Sequence, residues 1–97
     1  MKYFICRLEI TDGEHGYYSS SVFASKDMKE AVDIANNKAR DWYDDEERSE
    51  NITTPGNEFQ SWEHLGGEVI CAVDIVTEIP EDHFNILNQY GSFRFFN

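Results

Sequence analysis

The first 24 residues alternate between apolar and polar positions, which predicts two strands joined by a turn. Residues 2–11 form the first predicted strand, because successive side chains of a strand point to opposite faces. One of its faces consists of Phe4, Cys6, Leu8 and Ile10. Residues 12–16 contain two glycines and an aspartate that suit a turn, and residues 17–24 predict the returning strand. The run of serines in this returning strand indicates a partly wet face.

An apolar stripe at helical spacing predicts a helix from about residue 27 to residue 43. The stripe consists of Met28, Ala31, Val32, Ala35, Ala39 and Trp42. Asp27 with Glu30 three residues later resembles a capping box, and Ser25 is the alternative cap. The outward side carries a polar row, which is Glu30, Asp33, Asn37, Asp41 and Asp44. Basic residues can pair with this row at i, i+4 spacing, as Lys26–Glu30, Lys29–Asp33 and Arg40–Asp44.

The second half of the chain predicts a long strand followed by a short helix. Residues 68–78 form a nearly unbroken β-branched run, as in the middle of a sheet. Pro80 is well placed as the first residue of the helix, and Gly91 ends it. Residues 92–96 predict a short edge strand. The stretch 52–67 fits a short helix, a 3₁₀ turn or an irregular strand, since apolar side chains recur there every third residue.

This order of elements predicts one α+β domain over residues 1–97. We expect a small, mostly antiparallel sheet of three or four strands with two helices packed on one face. Cys6 and Cys71 each lie in a strand-like apolar run, so they are expected to be buried small hydrophobes. Charged residues interrupt the apolar start too early for a signal peptide or a membrane span. A cytoplasmic protein is the simplest expectation.

The surplus of negative charge lies entirely in the second part of the chain. Residues 1–40 hold six basic and six acidic side chains, whereas residues 41–97 account for the whole formal net charge of −11. Within the run 41–50, Arg48 is the only basic residue among six carboxylates. These carboxylates belong to Asp41, Asp44, Asp45, Glu46, Glu47 and Glu50. Carboxylates at a helix C-terminus also oppose the helix dipole, and sites where local rules are broken in this way tend to be functional.

Several kinds of chemistry are disfavoured by the sequence. His15, His64 and His83 lie far apart and away from the cysteines, so we expect no metal site and surface positions for all three. The acidic run lacks the glycine and the alternating ligands of an EF-hand. No nucleophile motif and no phosphate-binding glycine pattern occurs. We therefore expect no catalytic residue, no cofactor and no enzymatic activity. The 19 acidic residues would also repel nucleic acid.

Fixed carboxylates can instead imitate a nucleic-acid backbone and occupy the groove of a basic protein. Neighbouring charges on a helix face are ~4.5–6 Å apart along the axis, whereas phosphates advance ~3.4 Å per strand of a duplex. One helix is therefore too sparse, and carboxylates from other segments must complete the pattern. The additional candidates are Glu58, Glu63, Glu68, Asp74 and Glu78.

The densest acidic stretch reads Asp41-Trp42-Tyr43-Asp44-Asp45-Glu46-Glu47 in a chain of 97 residues. In length, charge and layout the chain resembles the small phage-encoded anti-CRISPR proteins that mimic DNA, in particular the inhibitors of type I surveillance complexes. The resemblance implies action in the bacterial cytoplasm, where such an inhibitor binds basic DNA-recognition subunits and blocks the entry of target DNA. We expect the partner-binding residues to be Glu30, Asp33, Asp41, Trp42, Tyr43, Asp44, Asp45, Glu46, Glu47 and Glu50.

Two alternatives stay open at the level of the sequence. The acidic run can be a solvated face that keeps a small protein soluble. The chain can also be a non-enzymatic adaptor that binds a protein partner through its sheet edge or through Phe93, Phe95 and Phe96 near the C-terminus.

Overall fold

The computed structural model describes residues 1–43 and 48–89 in full and residues 93–96 by their backbone. These residues form six strands and two helices. The elements are β1 (Lys2–Asp12), β2 (His15–Ser25), α1 (Met28–Arg40), β3 (Ser49–Asn51), β4 (Ser61–His64), β5 (Val69–Ile79), α2 (Glu81–Asn88) and β6 (Phe93–Phe96). A short 3₁₀ turn, Leu65–Gly67, joins β4 to β5.

All of these strands belong to one antiparallel sheet in the order β3-β4-β5-β1-β2-β6. The predicted α+β class with an antiparallel sheet and two helices is confirmed. The prediction of three or four strands is wrong, because the described residues form six. β3 was missed, whereas β4 lies in the stretch 52–67, for which an irregular strand was one of the predicted alternatives. Both strands are short and polar, and they are defined by pairing with their neighbours. The predicted edge strand near the C-terminus is confirmed as β6.

The core lies between α1 and one face of the sheet. The predicted apolar face of β1 is confirmed, since Phe4, Cys6, Leu8 and Ile10 are each 4% exposed or less. Four side chains of α1 cover this face and are buried too, namely Ala31, Val32, Ala35 and Ala39. Burying one large aliphatic or aromatic side chain stabilises the fold by ~1.5–3 kcal/mol, so this layer is a major source of stability. Both cysteines are buried and free, as predicted.

The predicted capping of α1 by Asp27 is confirmed. Its carboxylate accepts a hydrogen bond from the backbone N–H of Glu30 at 2.9 Å, which satisfies one of the free donors of the first turn. Ser25 is not the cap; its hydroxyl donates to the carbonyl oxygen of Asp27 at 3.1 Å. The helix ends at Arg40, earlier than the predicted residue 43, and Asp41 is its C-cap.

The second helix does not pack beside the first, which corrects the prediction that both helices lie on one face. The centres of the Phe84 ring in α2 and the Tyr3 ring in β1 are 4.6 Å apart. Tyr3 precedes the inward-facing Phe4, so its side chain points to the other face of the sheet. The reason is the short connection. Ile79, the register partner of Tyr3, is followed by Pro80 as N-cap and then directly by the helix.

A β-bulge interrupts the pairing of β1 with β5. Arg7 pairs with Ile75, whereas the next residue of β1 pairs with Val73, so Asp74 is the additional residue. Arg7 bonds to the Asp74 carboxylate through Nε at 2.7 Å and through Nη2 at 2.6 Å. Its guanidinium carbon also lies 4.4 Å from the centre of the Tyr18 ring. These contacts fix the bulge on the face that α1 does not cover.

The outer edge of β5 is paired along only part of its length. β4 pairs with it from Val69 to Ala72, and one further hydrogen bond joins the N–H of Val73 to the carbonyl of Gln60 at 3.0 Å. Among the described residues, no strand pairs with this edge beyond that point.

Candidate partner-binding surface

Two of the predicted acidic residues lie on the solvent side of α1. Glu30 and Asp33 are exposed, and neither carboxylate forms a salt bridge within the described part of the chain. The predicted helix pairs with Lys26 and Lys29 are therefore not formed. Residues three apart are separated by ~4.5 Å along a helix axis, so α1 holds two solvated carboxylates at a fixed interval.

Asp41 is exposed at the C-terminus of α1 and interacts with the residue before it. Arg40 donates from Nε to one carboxylate oxygen at 2.9 Å and from Nη2 to the other at 3.2 Å. This hydrogen bonding, with a smaller contribution from the charge of Arg40, lowers the pKa of the Asp41 carboxyl below its ordinary value of 3.8. The predicted partner of Arg40, Asp44, lies outside the described residues.

The two predicted aromatic anchors pack against the core rather than standing free. Trp42 and Tyr43 are half-buried. The ring of Trp42 lies 6.5 Å from that of Tyr17, and the ring of Tyr43 lies 5.8 Å from that of His64. The predicted contact residues Asp44, Asp45, Glu46 and Glu47 lie outside the described residues.

Glu50 is a second acidic contact candidate and lies on β3, the strand at the opposite edge of the sheet from β6. It is exposed on β3 and lies directly opposite Glu63 of β4. Like charges in directly opposed strand positions repel, at a cost of ~0.2–1 kcal/mol. The pair lies in register with Ile70, so it occupies the face of the sheet that α1 leaves uncovered. The predicted contact carboxylates that the structure describes thus lie on both sides of the sheet, with Glu30 and Asp33 on α1 and Glu50 on the opposite face.

The additional carboxylates that the sequence analysis named differ in whether they are free to contact a partner. Glu58 and Glu68 are exposed and form no salt bridge among the described residues. Asp74 is engaged by Arg7. Glu78 lies 3.9 Å from the ammonium of Lys2. The acidic surface that remains free is therefore smaller than the acidic composition indicates.

A cleft of about 460 Å³ opens between α1 and β2, and no sequence motif pointed to it. It arises because α1 packs most extensively over β5 and leaves part of the inner face of β2 uncovered. The cleft is lined by Leu8, Ser19, Ser21, Ile34, Asn37, Lys38, Asp41 and Trp42. The serine run of β2 is the sequence feature from which the cleft could have been predicted. It indicated a wet face on a strand that also borders the core.

His64 corrects the prediction that all three histidines lie on the surface. His15 and His83 are exposed, but His64 is fully buried. Its Nε2 lies 2.9 Å from the carbonyl oxygen of Ala39, and its Nδ1 lies 2.8 Å from the hydroxyl of Ser49. A carbonyl only accepts, so Nε2 carries a proton and donates to Ala39, and the hydrogen bond with the Ser49 hydroxyl engages the other ring nitrogen. The ring joins the end of α1 to β3, which is a structural role.

No group of three or more metal-ligating side chains comes together among the described residues. None of the helices formed by these residues has the length and apolar character needed to cross a membrane. In comparisons with known proteins, no family model, curated protein or solved structure matches this chain. The function must therefore be argued from the surface itself.

Proposed function

We propose that the protein is an acidic mimic of DNA that binds the basic DNA-recognition surface of a CRISPR-Cas surveillance complex and blocks target DNA binding. The observation that carries this proposal is the ordered helix α1, which holds Glu30 and Asp33 exposed and without salt-bridge partners among the described residues. The run 41–50 continues from its C-terminus with a surplus of carboxylates. In this proposal the protein is phage-encoded, acts in the bacterial cytoplasm and is not an enzyme.

Electrostatics favour a basic partner over other partners. The net charge of −11 attracts a cationic groove over a distance set by the ionic strength, with a Debye length of ~8 Å at physiological salt. Binding driven in this way is fast and weakens as salt increases. Lys26 and Lys29 are exposed beside Glu30 at the start of α1, so the contact is expected to be strongest from Asp33 towards the C-terminal end of the helix.

The test is competition with duplex DNA for a purified type I surveillance complex, followed by the fluorescence anisotropy of labelled DNA. The protein should displace the DNA, and displacement should weaken as salt increases. Replacing both Glu30→Lys and Asp33→Lys should reduce inhibition at least tenfold, because it places cations against a cationic groove. Replacing the four residues Asp44, Asp45, Glu46 and Glu47 by lysine should abolish inhibition.

The matched control is the pair Glu9→Lys and Glu14→Lys. Both residues are exposed, outside α1 and the acidic run, and the pair changes the net charge by the same amount as the α1 pair. A mimic depends on where its carboxylates are, so the control should retain inhibition. If both double variants lost inhibition equally, the inhibition would depend on the total charge of the protein and not on the position of its carboxylates. Failure of the unaltered protein to displace DNA would refute the proposal.

A second candidate is a small adaptor that binds an extended segment of a protein partner at a sheet edge. The observation that favours it is the outer edge of β5, which lacks a partner strand from Asp74 to Ile79 among the described residues. Such an edge presents free backbone donors and acceptors to another chain. An adaptor would bind its partner without competing with DNA, so the same competition experiment separates the two candidates.

A further inference from the structure

The acidic run 41–50 begins and ends beside one buried imidazole. Ala39 lies two residues before the run, and Ser49 is its last residue but one. His64 bonds to both, since its Nε2 lies 2.9 Å from the carbonyl oxygen of Ala39 and its Nδ1 lies 2.8 Å from the hydroxyl of Ser49. A single side chain therefore connects the two ends of the run.

The imidazole is itself held in one orientation. His64 is fully buried in the short strand β4, where it lies opposite Ser49 of β3 and Val69 of β5. Both of its ring nitrogens take part in hydrogen bonds, and the centre of the Tyr43 ring lies 5.8 Å from the centre of the imidazole. Hydrogen bonds in such an interior are stronger than in water. The ring is therefore a rigid link.

At the end of α1, the imidazole binds a carbonyl that lacks its regular helical partner. The last four carbonyls of a helix have no N–H four residues further on within the helix. Ala39 is fully buried in the last turn of α1. Its carbonyl oxygen lies 2.9 Å from the His64 ring nitrogen, whereas the N–H of Trp42 lies 3.4 Å away. The imidazole thereby fixes the point at which the chain leaves the helix, where Asp41 is the C-cap.

At the other end of the run, β3 has few other contacts to hold it. It spans only Ser49–Asn51 and, among the described strands, pairs with β4 alone. Its middle residue, Glu50, lies directly opposite Glu63, and like charges in that position repel each other. The hydrogen bond between Ser49 and the buried ring opposes this repulsion and keeps β3 on the sheet.

We propose that His64 is a positioning residue of the partner-binding surface, which holds the end of α1 and the strand β3 in a fixed relation although its ring contacts no partner. Each of these two places carries a predicted contact carboxylate, Asp41 at the helix end and Glu50 on β3. Binding costs less when the groups that make the contacts are already ordered. For the contact with a basic partner this inference rests on the proposed function, whereas the fixed relation is a property of the isolated protein.

The fixed relation is measured on the isolated protein by amide hydrogen exchange, followed by NMR. Ser49→Ala removes the hydroxyl from the bond, and Ser49→Thr keeps one. Ser49 is half-buried, so both variants are expected to fold. In Ser49→Ala the protected amides of β3 and of Ile52, which donates to the Ser61 carbonyl at 2.9 Å, should exchange about fivefold faster. Ser49→Thr should exchange like the unaltered protein.

Inhibition is measured by the competition with duplex DNA, well below the melting temperature of each variant. Ser49→Ala should inhibit about threefold more weakly, and Ser49→Thr should inhibit like the unaltered protein. His64→Phe keeps an aromatic ring without either nitrogen, so it should lose at least as much inhibition as Ser49→Ala.

The matched control is Asn36→Ala. It loses two hydrogen bonds to the segment before β4 but keeps both bonds of His64. Because it lowers stability without releasing the acidic run, it should retain inhibition.

The inference is overturned if Ser49→Ala leaves the exchange of β3 or the inhibition unchanged, or if Ser49→Ala and Asn36→Ala lose inhibition equally. A failure of the proposed function gives a different result, because the unaltered protein would then not displace DNA. In that case faster exchange in Ser49→Ala would still support positioning by His64, and unchanged exchange would still overturn it.

Discussion

Cys71 shows at the scale of one residue how burial controls reactivity. Removal from water, with a smaller contribution from the neighbouring Cys6, raises the pKa of the Cys71 thiol from 9.0 to about 12. The thiolate is the reactive form of cysteine, so burial suppresses the nucleophile as well as access to it.

We predict that iodoacetamide at about pH 8 leaves Cys71 unmodified in the folded protein and labels it in urea, as read by peptide mass spectrometry. The raised pKa also means that the folded state resists ionisation of this thiol. Its contribution to stability is complete below pH 9 and is lost as the pH rises towards 12. In Cys71→Ala the fall in unfolding free energy over this interval should be smaller. Rapid labelling of the native protein at Cys71 would contradict the prediction.

At this scale the burial of apolar residues could be predicted from the sequence, but the burial of single polar residues could not. The burial of Phe4, Cys6 and Ile10 was predictable, because apolar alternation is a local signal. The burial of His64 was not, because its two hydrogen-bond partners come from α1 and β3. The same holds for Ser19, which lies in a strand whose serines indicate only that one face is wet.

At the scale of elements, Asn36 connects a helix to a segment without regular structure. It is 6% exposed in α1. Its amide nitrogen donates to the carbonyl of Glu58 at 3.1 Å, and its amide oxygen accepts from the N–H of Gln60 at 2.9 Å. One side chain thereby satisfies two backbone groups of the segment that leads into β4.

We predict that Asn36→Ala lowers the unfolding free energy by about 2 kcal/mol, because two backbone groups lose their partners in a buried place. Urea denaturation followed by circular dichroism measures it. Asn37→Ala is the control one residue further along the same helix. Asn37 is exposed, and its side chain forms no hydrogen bond among the described residues, so its replacement should change stability by less than about 0.5 kcal/mol. Similar losses in both variants would contradict the assigned role.

Elements with a strong periodicity were predictable, and elements defined by their neighbours were not. The β1–β2 hairpin, the start of α1 at its Asp27 cap and the long strand β5 follow from local signals. β3 spans three residues, Ser49–Asn51, which is too short for any pattern. The side of the sheet on which α2 packs depends on the connection after Ile79, and the secondary-structure propensities of the residues do not determine that side.

At the scale of the whole molecule, the acidic composition predicts a general instability at low salt. A net charge of −11 on a chain of this size opposes the compact state through self-repulsion. Only three salt bridges, Lys2–Glu78, Arg7–Asp74 and Arg40–Asp41, occur among the described residues, so most of this repulsion is unrelieved there.

We predict that raising NaCl from about 10 mM to about 300 mM increases the melting temperature, because the Debye length falls from ~30 Å to below ~8 Å. The expected increase is about 4 °C, which corresponds to ~1 kcal/mol for a domain of this size. A variant with Asn or Gln in place of Asp44, Asp45, Glu46 and Glu47 should show a smaller increase. Thermal unfolding by circular dichroism provides the measurement, and a melting temperature independent of salt would contradict it.

The bulge at Asp74 has a consequence for changes in the length of β5. Core-facing residues of this strand carry odd numbers up to Val73, and the next one, Val76, carries an even number. Deleting Asp74 would restore regular alternation and keep every remaining side chain on its present side, at the cost of the partner of Arg7. Deleting Ala72 instead would turn half of the inward residues towards solvent. Length variants of this domain are therefore expected to retain their fold when the missing residue is Asp74.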